Sequence, residues 1–216
     1  MKLRYTSFSA FLLLLCVALA VVPAVADTLY DNGPVNGTLN AWPINFGFAI
    51  ADSFTLASGS NYTITGFQFG VWALPGDMPV SVNWDIGTSP FLHDRGIGTA
   101  ALSSVFLFAN SFGYDVYEAT ATGLNVGLTA GNYFLALGGA ISINGDALFW
   151  DENDGVGCTS PGCPSTSYEQ GIGQIPGSES FQLIGTPAAV PELGSMVLFG
   201  SGILGLTWTL RRKMKV

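Results

Sequence analysis

The run Trp150-Asp151-Glu152-Asn153-Asp154-Gly155 sets three carboxylates and an amide in four consecutive positions. Oxygens held that close repel one another unless water or a hard cation lies between them, and Ca²⁺, with roughly six to eight oxygen ligands, is the natural bridge. Asp151, Asn153 and Asp154 are the candidate ligands. The spacing is not that of an EF-hand, because Gly155 falls at the fifth position and the twelfth is Gly162. The competing reading is an acidic turn that simply stays hydrated.

A few residues further on, Cys158 and Cys163 enclose Thr-Ser-Pro-Gly. In an oxidising compartment two cysteines so placed form a disulfide that stiffens the loop. The zinc alternative lacks both the C-x-x-C spacing and a second ligand pair. Aromatic chemistry is also available. Trp42, Trp72, Trp84 and Trp150 offer flat faces for neutral sugars, and because Trp72 and Trp150 fall in antiphase to Phe67, Phe69 and Phe149, one of these two is expected to carry the exposed ring while the others are core. Trp84 shares the apolar side of its own segment and is expected in the core.

Catalytic devices are hard to find. His93 is the single histidine and adjoins Asp94, but no G-x-S-x-G turn accompanies it, and an H-E-x-x-H zinc motif requires two histidines. Paired carboxylates of glycosidase type are conceivable among so many acids, yet no spacing selects a pair. The expectation is a noncatalytic protein, structural or glycan-binding. A glycan-active hydrolase and a Ca²⁺-dependent adhesion module are the alternatives.

These residues need a scaffold, and the apolar pattern supplies strands. In VSVNWDI, Val80, Val82, Trp84 and Ile86 share one side while Ser81, Asn83 and Asp85 share the other, the period-two signature of a half-buried strand. Comparable runs are FAIADSFTL, TITGFQFGVWAL, SSVFLFA, YDVYEATA, NYFLALG, ALFW and SFQLIG, separated by turn-forming segments such as Leu-Pro-Gly-Asp and Ile-Asn-Gly-Asp. Eight or nine strands at this spacing predict an all-β, two-sheet antiparallel sandwich of jelly-roll type over residues 27–187, with a closed barrel as the alternative.

Charge narrows the partners. Charged residues make up 10% of the chain, against roughly 25% in an ordinary soluble domain. Fourteen of the fifteen acids lie between Asp27 and Glu179, and Arg95 is the one Lys or Arg in that span. Such a body repels phosphate backbones, so nucleic acid is not an expected partner.

The two ends read as routing segments. Residues 1–26 combine Lys2 and Arg4, an apolar run from Phe11 to Val22, and Ala24-Val25-Ala26, which are the three parts of a secretory signal peptide cut after Ala26. Leu193 to Leu210 is free of charge and long enough, at 1.5 Å per residue, for a transmembrane helix of about 27 Å. Arg211, Arg212, Lys213 and Lys215 follow and would stay cytoplasmic as a stop-transfer cluster. The body is therefore expected outside the cytoplasm, on a membrane-anchored precursor.

Val190-Pro191-Glu192, the apolar span with Gly200-Ser201-Gly202, and the closing Arg211-Arg212 together resemble the PEP-CTERM sorting signal, here residues 188–216. The resemblance implies that an exosortase-type membrane peptidase in an exopolysaccharide-producing Gram-negative bacterium recognises the tail. It also implies a cut near Pro191-Glu192 and delivery of the body to the cell surface or the extracellular polysaccharide matrix. Position 193 is Leu where the motif usually carries a second Pro.

Overall fold

Period-two segments become strands wherever one side can be buried, and here they do so along the whole body. The computed structural model describes residues 26–188, and these contain twelve strands and no α-helix. They are β1 (Asp27–Asp31), β2 (Asn40–Pro43), β3 (Ala49–Leu56), β4 (Tyr62–Ala73), β5 (Pro79–Gly87) and β6 (Gly96–Ala109), then β7 (Asp115–Leu128), β8 (Gly131–Ser142), β9 (Leu148–Glu152), β10 (Ser167–Glu169), β11 (Gly173–Gln174) and β12 (Phe181–Pro187). The expected signal peptide with Ala24, the sorting motif Val190, Pro191 and Glu192, the helix 193–210, and the basic residues Arg211, Arg212 and Lys213 lie outside the described residues.

Every pairing is antiparallel. The strand order is β1-β12-β4-β7-β6-β5-β8-β3-β10-β11, with β9 on β4 and β2 on β9. β6 joins two ladders: Gly96–Ala101 pairs with β5, and Leu102–Ala109 pairs with β7. A long strand that changes partners midway lets one continuous sheet turn back on itself. The two ladders bury a common core, in which Tyr30 of β1 meets Phe54 of β3 with ring centres 6.0 Å apart.

The expected strands are present, and the additional ones, β1, β2, β10 and β11, have five, four, three and two residues. So few residues show no period. The run YDVYEATA continues through residues 124–128 as one strand, β7, because Gly123 takes φ 83° and absorbs the register shift opposite Ile64–Gly66. A left-handed residue inside a bulge is cheap for glycine and strained for other residues.

Candidate functional site

The register of β9 decides which tryptophan is buried. Trp150 lies opposite Val71 of β4, and Trp72 lies opposite Phe149. Directly opposed residues share a side of the sheet, so Trp150 joins Val71 in the core while Phe149 and Trp72 share the outer side. Trp150 is fully buried, edge-on to Phe69 and Phe181, and its Nε1–H donates to the Ser180 carbonyl at 2.9 Å. The expectation of an exposed Trp150 ring is corrected accordingly. Its phase was taken from Phe149, whose own phase was the wrong one, and a one-residue slip exchanges the two sides.

Trp72 does face outward from its ladder, but it is covered. Phe112, at the tip between β6 and β7, stacks on it at 5.4 Å, and Tyr114 leans over it at 5.8 Å. Its Nε1–H donates inward to Asp151 Oδ1 at 2.6 Å. What remains open is a pocket of about 210 Å³ lined by Leu39, Asn40, Ala41, Trp72, Phe112, Tyr114 and Phe149. Phe112 is 54% exposed, so the accessible aromatic surface belongs to residues that the sequence reading did not nominate. The only signal was their type, since a tip residue has no partner until the hairpin is placed.

The acidic run is not a surface turn. Asp151 is fully buried beneath the segment joining β1 to β2, and its carboxylate accepts from the N–H groups of Asn36 (3.1 Å) and Gly37 (2.9 Å) as well as Trp72. Burial raises its pKa, and those donors hold the rise in check. Asn153, also fully buried, donates through Nδ2 to the carbonyls of Asn32 and Pro34 and accepts from Gly155 N–H. Asp154 is exposed with φ 54°. Asp151, Asn153 and Asp154 are thus committed to different surroundings. Among the described residues, no group of three or more His, Cys, Asp or Glu is disposed to hold a metal ion.

Cys158 and Cys163 are joined by a disulfide. The loop it closes packs against the start of the chain: Thr159 N–H donates to the Asp31 carbonyl, and Asp31 N–H donates to Ser160 Oγ. His93 Nδ1 lies 3.1 Å from Asp85 Oδ2, so its partner is a strand residue and not the adjacent Asp94.

A second polar centre, not among the candidates named from the sequence, lies deeper. Asp52 occupies the core phase of β3 together with Ile50, Phe54 and Leu56 and is fully buried. Its Oδ2 accepts from Ser165 Oγ and from the Glu179 N–H, both at 2.7 Å, and its Oδ1 accepts from Ser53 N–H at 2.8 Å. Asn32 Nδ2 donates to Ser165 Oγ, Ser178 Oγ and the Glu179 carbonyl, tying β1 to the same spot. Burial drives the Asp52 pKa up to about 7 against those donors. Glu179 is fully buried and raised well above a usual glutamate, first by burial and then by Asp52, Glu152 and Asp151. A carboxylate in phase with three core hydrophobics was the signal available in FAIADSFTL.

No family model matches the chain, and no curated protein matches it.

Proposed function

We propose that this chain is an exported, noncatalytic protein of the cell surface or exopolysaccharide matrix that binds neutral glycan. The observation that carries the reading is the aromatic pocket around Trp72. Rings from Phe112, Tyr114 and Phe149 offer flat apolar faces, Asn40 offers an amide, and none of its lining residues is charged. Sugar rings present apolar C–H faces between hydroxyls, so aromatic walls with a sparse polar edge suit them. The volume is below the ~300–1,000 Å³ of deep ligand clefts, which suits a ring or two of a longer polymer passing across the surface. Hydrolysis needs two carboxyls flanking the scissile bond, and the absence of Asp and Glu from this lining favours binding over cleavage.

The scaffold is read as a two-sheet jelly roll. Support comes from the nested pairs β3·β8, β4·β7 and β5·β6, and from the order β1-β12-β4-β7 in one ladder facing β3-β8-β5-β6 in the other. Export and sorting rest on the terminal segments: a signal peptide over residues 1–26, a transmembrane helix over 193–210, and the PEP-CTERM-like motif at Val190-Pro191-Glu192 as the substrate of an exosortase-type peptidase. A disulfide suits a compartment outside the cytoplasm.

Titration of the purified chain with extracellular polysaccharide from an exopolysaccharide-producing Gram-negative bacterium tests the binding function. Phe112→Ala and Tyr114→Ala should each weaken binding about tenfold or more without changing the fold, by analogy with aromatic contacts worth roughly 1–3 kcal/mol. Full affinity in the double variant, or release of reducing sugar by the wild type, would end the proposal. Intact-mass measurement of the exported form tests the sorting, with cleavage expected near Pro191-Glu192.

A further inference from the structure

Asp52 and Glu179 are both fully buried and meet inside the body, and no cationic side chain balances them. Among the described residues the only Lys or Arg is Arg95, which lies on the surface beside Asp94, and the only His pairs with Asp85. Two carboxyls in a dry interior repel each other strongly when both are ionised, and an isolated buried carboxylate is costly. Something other than a side chain must neutralise them.

The hydrogen bonds show where. Asp52 uses three acceptor positions on Ser53, Ser165 and Glu179 donors, which leaves one lone pair of a carboxylate's four. Glu179 is different, for neither Oε1 nor Oε2 has a hydrogen-bond partner. Ser167 Oγ is likewise buried and unpartnered. Ser167 stands directly opposite Asp52 in the β10·β3 register, so their side chains share one side of the ladder, and the Ser167 hydroxyl lies beside both carboxyls. Three orphaned oxygens therefore gather at one buried point beside a fourth that retains a free lone pair.

A proton alone does not resolve this arrangement. A proton on Glu179 could be donated to Ser167 Oγ, but it would leave the second Glu179 oxygen without a partner and the free lone pair of Asp52 unfilled. A cation satisfies all the orphans at once.

We infer that Glu179, Asp52 and Ser167 bind one Ca²⁺ ion in the interior, locking the segment before β12 onto β3 and β10. Two carboxylates match its charge, and Glu179 through both oxygens, Asp52 through one and Ser167 Oγ supply four of the roughly six to eight oxygens Ca²⁺ takes, the others falling to water. Carboxylate and hydroxyl oxygens are hard ligands, and a site this deep selects Ca²⁺ over Mg²⁺, which sheds its waters reluctantly. The site is separate from the acidic run at Asp151, Asn153 and Asp154, and it owes nothing to the aromatic pocket.

The test uses the purified full chain, stripped with EDTA at pH 8 and returned to CaCl₂ or MgCl₂, with bound metal measured by elemental analysis and stability by thermal melting. One Ca²⁺ per chain is expected, with Tm climbing steadily per decade of free Ca²⁺ and less in Mg²⁺. Glu179→Gln should lose the bound ion and the Tm response, yet melt in EDTA no lower than wild type, since a buried charge has gone. Asp154→Asn should keep both. Should Glu179→Gln fail to fold, Ser167→Ala supplies the readout, moving the Ca²⁺ midpoint upward by about tenfold. A wild type that retains no Ca²⁺ and melts alike in Ca²⁺ and EDTA overturns the inference. So does an undiminished response in Glu179→Gln or Ser167→Ala, or a response lost in Asp154→Asn.

Discussion

The main-chain N–H of Glu179 donates to Oδ2 of Asp52 at 2.7 Å, so an acid in the approach to β12 and an acid in the middle of β3 occupy one buried space. They are 127 residues apart in sequence. Gly177, at φ 98°, makes the approach possible: a Cβ there would run into the Glu152 carboxyl. The same turn sets Ser178 against Asn32 and Ser165, and so couples the beginning, middle and end of the body.

Metal-free stability should fall as pH rises. Burial holds Asp52 at about 7 and Glu179 well above its usual range, whereas the unfolded chain has both near ~4. Below pH ~4 both states are protonated and the fold carries no penalty. Above that the unfolded chain releases protons that the fold retains, and stability declines through pH 7 and beyond. The groups facing the pair are Asp151 and Glu152 of β9, whose own pKa values burial also raises, and the Tyr30 hydroxyl of β1, raised by burial and by Asp52. Carboxylates held low by hydrogen bonds, such as Asp94 under Thr88 N–H, act only below pH ~4. Melting in EDTA should give a higher Tm at pH 5 than at pH 8, and Glu179→Gln should flatten the slope. A rising Tm over that interval contradicts the assignment.

Trp150→Ala should be among the most damaging single changes. It opens a cavity between Phe69 and Phe181 and strands the Ser180 carbonyl, for a loss of about 3–5 kcal/mol. Urea unfolding measures it. A loss under about 1 kcal/mol would mean that the ring is not in the core.

Trp72→Phe separates packing from hydrogen bonding. The ring contacts with Phe112 and Tyr114 survive, but Asp151 loses the shortest of its donors and is left buried with two N–H groups. The cost should be about 1–3 kcal/mol, and the Asp151 pKa should rise further. NMR titration of the carboxyl carbon reads the second effect, and an unchanged value would argue against the bond.

Reducing the Cys158–Cys163 bond, or replacing both by Ser, should lower stability by about 2 kcal/mol, a Tm drop of roughly 4–8 °C, as befits a short loop. Proteolysis near Thr159 should accelerate, because the loop that brackets Asp31 is then free to open.

The outer half of β6 should govern self-association. Leu102–Ala109 pairs its backbone with β7 on one side and with no other described strand, and Val105, Phe106, Leu107 and Phe108 are exposed there without a charge. Val105→Lys should reduce light scattering at high concentration while changing stability by no more than about 0.5 kcal/mol. Equal scattering would show that another surface is responsible.

What was legible in the sequence was what local chemistry decides. Apolar patterning marked β3 to β9 and β12, because a strand between water and core must alternate. Thr-Ser-Pro-Gly between Cys158 and Cys163 marked a closable loop. Trp84 declared its burial through Val82 and Ile86 beside it. None of these needs knowledge of a distant neighbour.

Tertiary structure decided the rest, because a side chain's surroundings are set by strands that pair from far along the chain. Only the register of β9 on β4 puts Trp150 inside. Only the loop before β2, laid across the sheet, turns Asp151 from a surface acid into a buried acceptor. Only the meeting of β3, β10 and the approach to β12 brings Asp52, Ser167 and Glu179 together. Sequence records that an acid stands in an apolar phase; whether it is buried, and what it meets there, depends on contacts that exist after the sheet has closed.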